Sequence, residues 1–191
     1  MPTYKTIEDG RGSEVVQRVL EHCLPAQTKG ILEELVQNLL SLFRDQYGNY
    51  VVQHILEHGR PVDRERILDL VKQMPLELSC HKFASNVVEK GLLLGDARER
   101  FVIIRAIIGD PQEPQRLQMM VRDRFANYVV QRLLDVAEQS QKEEVFWILK
   151  DASTVSQLKK TSYGKHILGK LEQIATQVAP SAAGQFSTFS P

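Results

Sequence analysis

A short motif returns along this chain with its aromatic, small and apolar positions almost constant while its polar positions change. It reads Tyr47-Gly48-Asn49-Tyr50-Val51-Val52-Gln53, then Phe83-Ala84-Ser85-Asn86-Val87-Val88-Glu89, then Phe125-Ala126-Asn127-Tyr128-Val129-Val130-Gln131. Weaker copies stand at Gly12-Ser13-Glu14-Val15-Val16-Gln17 and Tyr163-Gly164-Lys165-His166-Ile167-Leu168-Gly169. The small anchor of each copy falls at 12, 48, 84, 126 and 164, intervals of 36, 36, 42 and 38 residues. A period of that size points to an all-α solenoid, in which each unit buries its apolar face only against its neighbours. The expectation is a right-handed curved array of about four repeats plus a closing unit over residues 12–173. An irregular lead-in is expected at 1–11. Residues 174–191, rich in Ala, Ser, Gln and Pro, are expected to form a disordered tail.

Each period is predicted to hold two helices. Asn49 to His58 carries Val52, Ile55 and Leu56 at helical spacing, and Gly59-Arg60-Pro61 stops it. Pro61 suits the first turn of a second helix, from about Val62 to Met74, with Ile67, Leu70, Val71 and Met74 on one face. The other second helices carry Ile31, Leu32, Leu35 and Leu39, then Phe101, Ile104, Ile107 and Ile108, then Val145, Ile148 and Leu149. Gly109-Asp110-Pro111-Gln112-Glu113-Pro114 reads as a loop insertion that lengthens one interval to 42.

Composition narrows the classes of function. Twenty-four Lys and Arg balance 24 Asp and Glu, so binding driven mainly by phosphate contacts is disfavoured. No apolar run is long enough to span a bilayer, and the first residues lack a signal-peptide apolar core. Two cysteines, Cys23 and Cys80, are too few for a disulfide framework; they imply a reducing, cytoplasmic setting and packing as small hydrophobes.

The variable polar positions carry the chemistry. Asn49 with Gln53, Ser85 with Glu89, and Asn127 with Gln131 are i, i+4 pairs, and such pairs share one helix face. Each can meet one base edge, and in the middle repeat Ser85, Asn86 and Glu89 are all expected to face outward from the apolar stripe. Tyr50, Asn86 and Tyr128 follow the first member of each pair, where a flat side chain can stack on a base. Ionised Glu89 only accepts, which suits the two adjacent donors of guanine; Asn and Gln amides donate and accept, which suits uracil. Ser13 with Gln17 is compatible with adenine.

These copies resemble repeats of the Pumilio/PUF family of RNA-binding proteins over about residues 12 to 173. Asn49-Tyr50-x-x-Gln53 and Asn127-Tyr128-x-x-Gln131 are similar to the family's uracil-reading triplet, and Ser85-Asn86-x-x-Glu89 to its guanine-reading triplet. The resemblance implies an antiparallel RNA, so that Asn127/Gln131, Ser85/Glu89 and Asn49/Gln53 would read 5′-U-G-U-3′ and Ser13/Gln17 would add A. It further implies binding to single-stranded messenger RNA 3′ untranslated regions and post-transcriptional repression, with mRNA-decay or translation-repression proteins recruited on the convex face. No enzyme activity, cofactor, metal or membrane is implied. Two departures stand out: Glu14 occupies a stacking position, and the family usually has eight reading repeats where only the last four and a closing unit match. That closing unit has Gly169 in place of a reader and resembles a cap, with Lys165 or His166 near phosphate.

Two rivals come from other classes. His54-Ile55-Leu56-Glu57-His58 matches the H-x-x-E-H zinc-peptidase pattern, but Arg18 stands where the first His would fall one period earlier, beside a recurring Glu21-His22, which favours a structural role. The other rival is an α-solenoid protein-interaction module, or a truncated form, with RNA reading weak or lost.

Overall fold

The computed structural model describes residue 7, residues 10–110 and residues 112–183, all helix and connecting turns. Thirteen helices are present among the described residues. They are α1 (Gly10–His22), α2 (Pro25–Gln37), α3 (Leu39–Arg44), α4 (Gly48–His58), α5 (Pro61–Gln73), α6 (Pro75–Ser79), α7 (Ala84–Leu94), α8 (Ala97–Ile108), α9 (Gln115–Met120), α10 (Ala126–Val136), α11 (Gln139–Leu149), α12 (Ala152–Leu158) and α13 (Gly164–Ala183).

Each period therefore holds three helices, not two. The short third helices α3, α6, α9 and α12 precede each motif, and their five to seven residues are too few to show a clear 3.6-residue period in sequence. Leu39 belongs to α3 and not to the second helix. Pro25, Pro61 and Pro75 open their helices at the first position, where the missing N–H would have no intrahelical partner.

Motif helices pack side by side in the order α1, α4, α7, α10, α13, and second helices in the order α2, α5, α8, α11. The result is a curved α-solenoid. The paired valines make this work. Val51 and Val52, Val87 and Val88, and Val129 and Val130 are all fully buried, on motif helices that pack against one another. Burying such a side chain contributes roughly 1.5–3 kcal/mol. Val15, at the same position in α1, is exposed because no described element packs on that side of α1.

Several expectations are corrected. Leu68 is buried in α5, while Leu70 and Met74 are only half-buried; Phe101 is exposed on α8. The array begins at Gly10, inside the expected lead-in. The expected tail is also revised: α13 continues to Ala183, because Leu171 and Ile174 prolong the stripe begun by Ile167 and bury it against α10, α11 and α12. Residues 184–191 and most of the lead-in lie outside the described residues. The expected loop between Ile108 and Gln115 is found as a connection between α8 and α9. Cys23 is exposed and Cys80 half-buried; burial and Asp123 push the Cys80 thiol up to about 11, so it stays protonated. No helix among the described residues is long and apolar enough to cross a membrane.

Candidate nucleic-acid interface

A capped turn starts each motif helix. Asp45 Oδ1 accepts from the main-chain N–H of Tyr47 at 2.8 Å and of Gly48 at 2.6 Å, and Asp123 Oδ1 accepts from Phe125 and Ala126, both at 2.8 Å. His81 Nδ1 does the same for Phe83 and Ala84 at 3.3 and 3.4 Å, and Thr161 Oγ1 accepts from Gly164 at 3.0 Å. Each cap lies three residues before the small anchor, so the period that located the motif could have located them. They satisfy N–H groups that have no intrahelical partner and fix the turn that carries the polar pairs. The anchor is small for a reason of space. A Cβ on Gly48 would lie 2.9 Å from the Leu42 carbonyl oxygen and one on Gly164 2.0 Å from that of Leu158.

The pairs themselves depart from expectation. Asn49 and Asn127 are 0% exposed and Ser85 only 4%, so these positions do not face outward. Asn49 Nδ2 donates to the carbonyls of Asp45 at 2.9 Å and Gln46 at 3.0 Å, while its Oδ1 accepts from Gln53 Nε2 at 3.0 Å. Asn127 repeats the arrangement with the Asp123 carbonyl at 2.9 Å and Gln131 Nε2 at 3.0 Å. Ser13, also buried, donates to the Tyr47 carbonyl at 3.1 Å and accepts from Gln17 Nε2 at 3.2 Å. The first member of a pair is thus a buried tether, and the second, half-buried, carries the accessible polar edge. A short polar side chain in the first helical turn finds main-chain carbonyls close by, and those outcompete solvent.

Ser85 and Glu89 form no such bond. Glu89 is half-buried, and burial raises its carboxyl above the usual carboxylate range. The flanking positions stand as expected: Tyr50 is 53% and Tyr128 54% exposed, and Asn86 and Glu14 are also exposed. Tyr50, Gln53, Asn86, Glu89, Lys90 and Leu93 line one shallow groove, which joins the polar positions of two adjacent repeats. Lys165 and His166 are exposed on the first turn of α13, and Gly169 has open space about it.

The zinc-peptidase pattern does not assemble. The His54 and His58 rings lie 4.9 Å apart, but Glu57 turns to Lys90 at 2.7 Å and His54 Nδ1 faces Glu21 at 3.7 Å. No group of three or more metal-ligating side chains occurs among the described residues. Glu21 also lies 3.7 Å from His22 Nε2.

Comparison with known proteins agrees with this geometry. The model of a family described as Pumilio-family RNA binding repeat matches residues 11–36, 44–71, 76–108 and 118–149. A Pumilio domain-containing protein of Schizosaccharomyces pombe is 36% identical over 162 residues, 85% of this chain and 23% of that protein. Pumilio homolog 1 of Xenopus laevis is 48% identical over 57 residues, 30% of this chain and 5% of that protein. The crystal structure of PUF-8 in complex with PBE-RNA superposes with a TM-score of 0.79 at 36% identity, covering 90% of this chain and 50% of that one. A mutant Puf4 bound to the Cox17 RNA 3′ UTR recognition sequence gives 0.71 at 30% identity, covering 84% and 54%. The chain spans about half the length of these solved structures and less than a quarter of the two curated relatives.

Proposed function

This chain belongs to the Pumilio family of RNA-binding repeat proteins, and from that premise we propose that it binds single-stranded RNA sequence-specifically through a 5′-UGU core. In this reading Gln131, Glu89 and Gln53 meet the edges of U, G and U in turn. Asn127 and Asn49 support the two glutamines from beneath, Ser85 lies beneath Glu89 without a bond to it, and Tyr128, Asn86 and Tyr50 stack between bases. Ser13 and Gln17 add an adenine position, giving UGUA. The target class is the messenger RNA 3′ untranslated region, and the outcome is post-transcriptional repression in the cytoplasm through recruited proteins.

The observation that carries the reading is the register of the site. Two identical tethered triplets flank a third, on helices that pack directly against one another, with the exposed flat side chains in step. A solvated surface has no reason to repeat buried Asn beneath Gln beside an exposed Tyr. The protein-interaction reading rests on a different surface, the exposed Val62, Phe101, Val102 and Trp147 of the second helices. Direct binding to a UGU-containing RNA and to its UCU counterpart separates the two. Preference for UGU supports RNA reading, and equal or absent binding to both refutes it.

A further inference from the structure

The residue after each edge-carrying position is basic in every copy: Arg18, His54, Lys90, Arg132 and Lys170. The residue four places after that position is acidic in three: Glu21, Glu57 and Asp135. Across each of three junctions the basic side chain of one repeat meets the acid of the repeat before it. His54 faces Glu21 at 3.7 Å, Lys90 faces Glu57 at 2.7 Å, and Lys170 is bonded to Asp135. The junction of α7 with α10 breaks the rule, since exposed Leu93 stands where the acid would be. Arg132 is left with Asp135 at 4.0 Å, whose other oxygen Lys170 holds, and its buried Nε has no hydrogen-bond partner.

The same repeat departs from the pattern a second time. It has Ser85 where its neighbours have a tethering Asn, so Glu89 lacks the support given to Gln53 and Gln131. An untethered anion and an unmatched cation therefore coincide on two helices in direct contact. We propose that Arg132 is the positioning residue of the guanine site, reaching across from α10 to keep the Glu89 carboxylate ionised and turned to the base. This rests on the reading of Glu89 given above. Only the ionised carboxylate is a pure acceptor; protonated, it offers one O–H donor and one acceptor, the inventory of the uracil-reading Gln. Guanine specificity thus requires that the proton stay off. Burial pushes the Glu89 pKa up, and Arg132 is the charge that pulls it back. Charged and titratable groups near α7 have other partners: Lys90 pairs with Glu57 of α4, Arg44 of α3 with Glu77 of α6, Glu99 of α8 with the main chain at Asp96, Lys82 lies over the Phe83 ring, and His81 Nδ1 accepts from the main chain at Phe83 and Ala84.

The test is competition binding of two eight-nucleotide RNAs that differ only in a UGU or UUU core, at pH 6.0, 7.0 and 8.5. Wild type should prefer UGU at all three. Arg132→Gln should lose at least about threefold of that preference at pH 6.0 and regain it at pH 8.5, the behaviour of a carboxyl released from an opposite charge. Arg132→Lys should retain most of it. Leu93→Glu, which leaves Arg132 in place but supplies the missing acid, should weaken the preference in the same pH-dependent way. Glu89→Gln is the control for the underlying reading. If it keeps the guanine preference, Glu89 does not read the base and both ideas fall. If Glu89→Gln loses the preference while Arg132→Gln and Leu93→Glu keep it at every pH, only the role of Arg132 is overturned. An equal loss on both RNAs at all pH values would mark Arg132 as a phosphate contact and likewise overturn it.

Discussion

Copying the flanking triplet onto the middle repeat is the most demanding test of how the bases are read. The triple substitution Ser85→Asn, Asn86→Tyr and Glu89→Gln makes the middle repeat match those at Asn49 and Asn127. In wild type, uracil opposite Glu89 sets carbonyl oxygens against a half-buried carboxylate, and leaving such groups unpaired costs about 1–3 kcal/mol. At 1.4 kcal/mol per tenfold, this is a guanine preference of about 5- to 150-fold, which the triple variant should reverse in favour of uracil. The burial of Ser85 adds a condition. The larger amide must fit a site only 4% exposed, and overpacking there costs about 1–3 kcal/mol. Its compensation is the bond that Asn49 and Asn127 make to the carbonyl four residues back. The equivalent His81 carbonyl lies in the same capped turn, 3.1 Å from the Ser85 nitrogen. The net change in stability should stay within about 2 kcal/mol, a shift of roughly 4–8 °C in Tm for a chain this size. Glu89→Gln alone should lose guanine without acquiring a sharp choice of uracil, because its amide would be untethered. Competition between UGU and UUU RNAs, with melting curves for each variant, measures all of this. A folded triple variant that still prefers guanine would refute the assignment of all three repeats.

Three further outcomes are expected. Asn127→Ala should cost about 1–3 kcal/mol of unfolding free energy and reduce discrimination of uracil from cytosine at the base opposite Gln131; denaturation and competition binding check it, and unchanged discrimination counts against the tether. The His81 pKa lies below 6.5, first through burial and then through Arg44, so its stabilising share is present above 6.5 and lost as the pH falls through the lowered value. His81→Asp should remove part of the loss in urea resistance between pH 7.5 and 5.5, with His54, lowered by burial and His58, accounting for more; an unchanged acid loss would refute the cap. Finally, affinity for a UGU RNA should fall less than about tenfold between 50 and 200 mM salt, against the 10³–10⁵ typical of six to ten phosphate contacts; a three-decade fall in a salt titration would overturn the view that edges and stacking dominate.

The repeat architecture was legible because stacking makes the same demand every 36 to 42 residues: Val52, Val88 and Val130 are each fully buried at the same place in their units. The short helices α3, α6, α9 and α12 escaped, since a single turn has no periodicity to detect. The end of the array is masked in the sequence by small and polar residues such as Gln173 and Thr176 around Ile174, which continues the stripe of Ile167 and Leu171 by one more turn. At the site, the identities of the polar pairs were plain but their burial was not. A helical wheel places Asn49 and Gln53 together; it does not show that the preceding short helix and capped turn close over the first of them. The basic column was hidden differently, because His54, Lys90 and Lys170 look like ordinary solvated side chains until packing reveals the acid opposite each, and Arg132 until it reveals none.

On the proposed reading, the tether would let an amide choose between two pyrimidines. Along the edge, uracil offers a carbonyl and then an N–H, whereas cytosine offers an amino group and then a bare ring nitrogen, the reverse order of acceptor and donor. A free glutamine satisfies either by turning its amide over. Gln53 cannot, because Asn49 Oδ1 accepts from its Nε2, and a reversed amide would set two oxygens against each other at 3.0 Å. Asn49 cannot turn either, since its Nδ2 is held by two main-chain carbonyls. The orientation of the reading atom is therefore inherited from the backbone, through one buried side chain, in both repeats that carry Asn. In the third repeat the carboxylate is symmetric and has no wrong way round. On the proposed reading it would need no tether to fix its order, only a charge to keep its proton away.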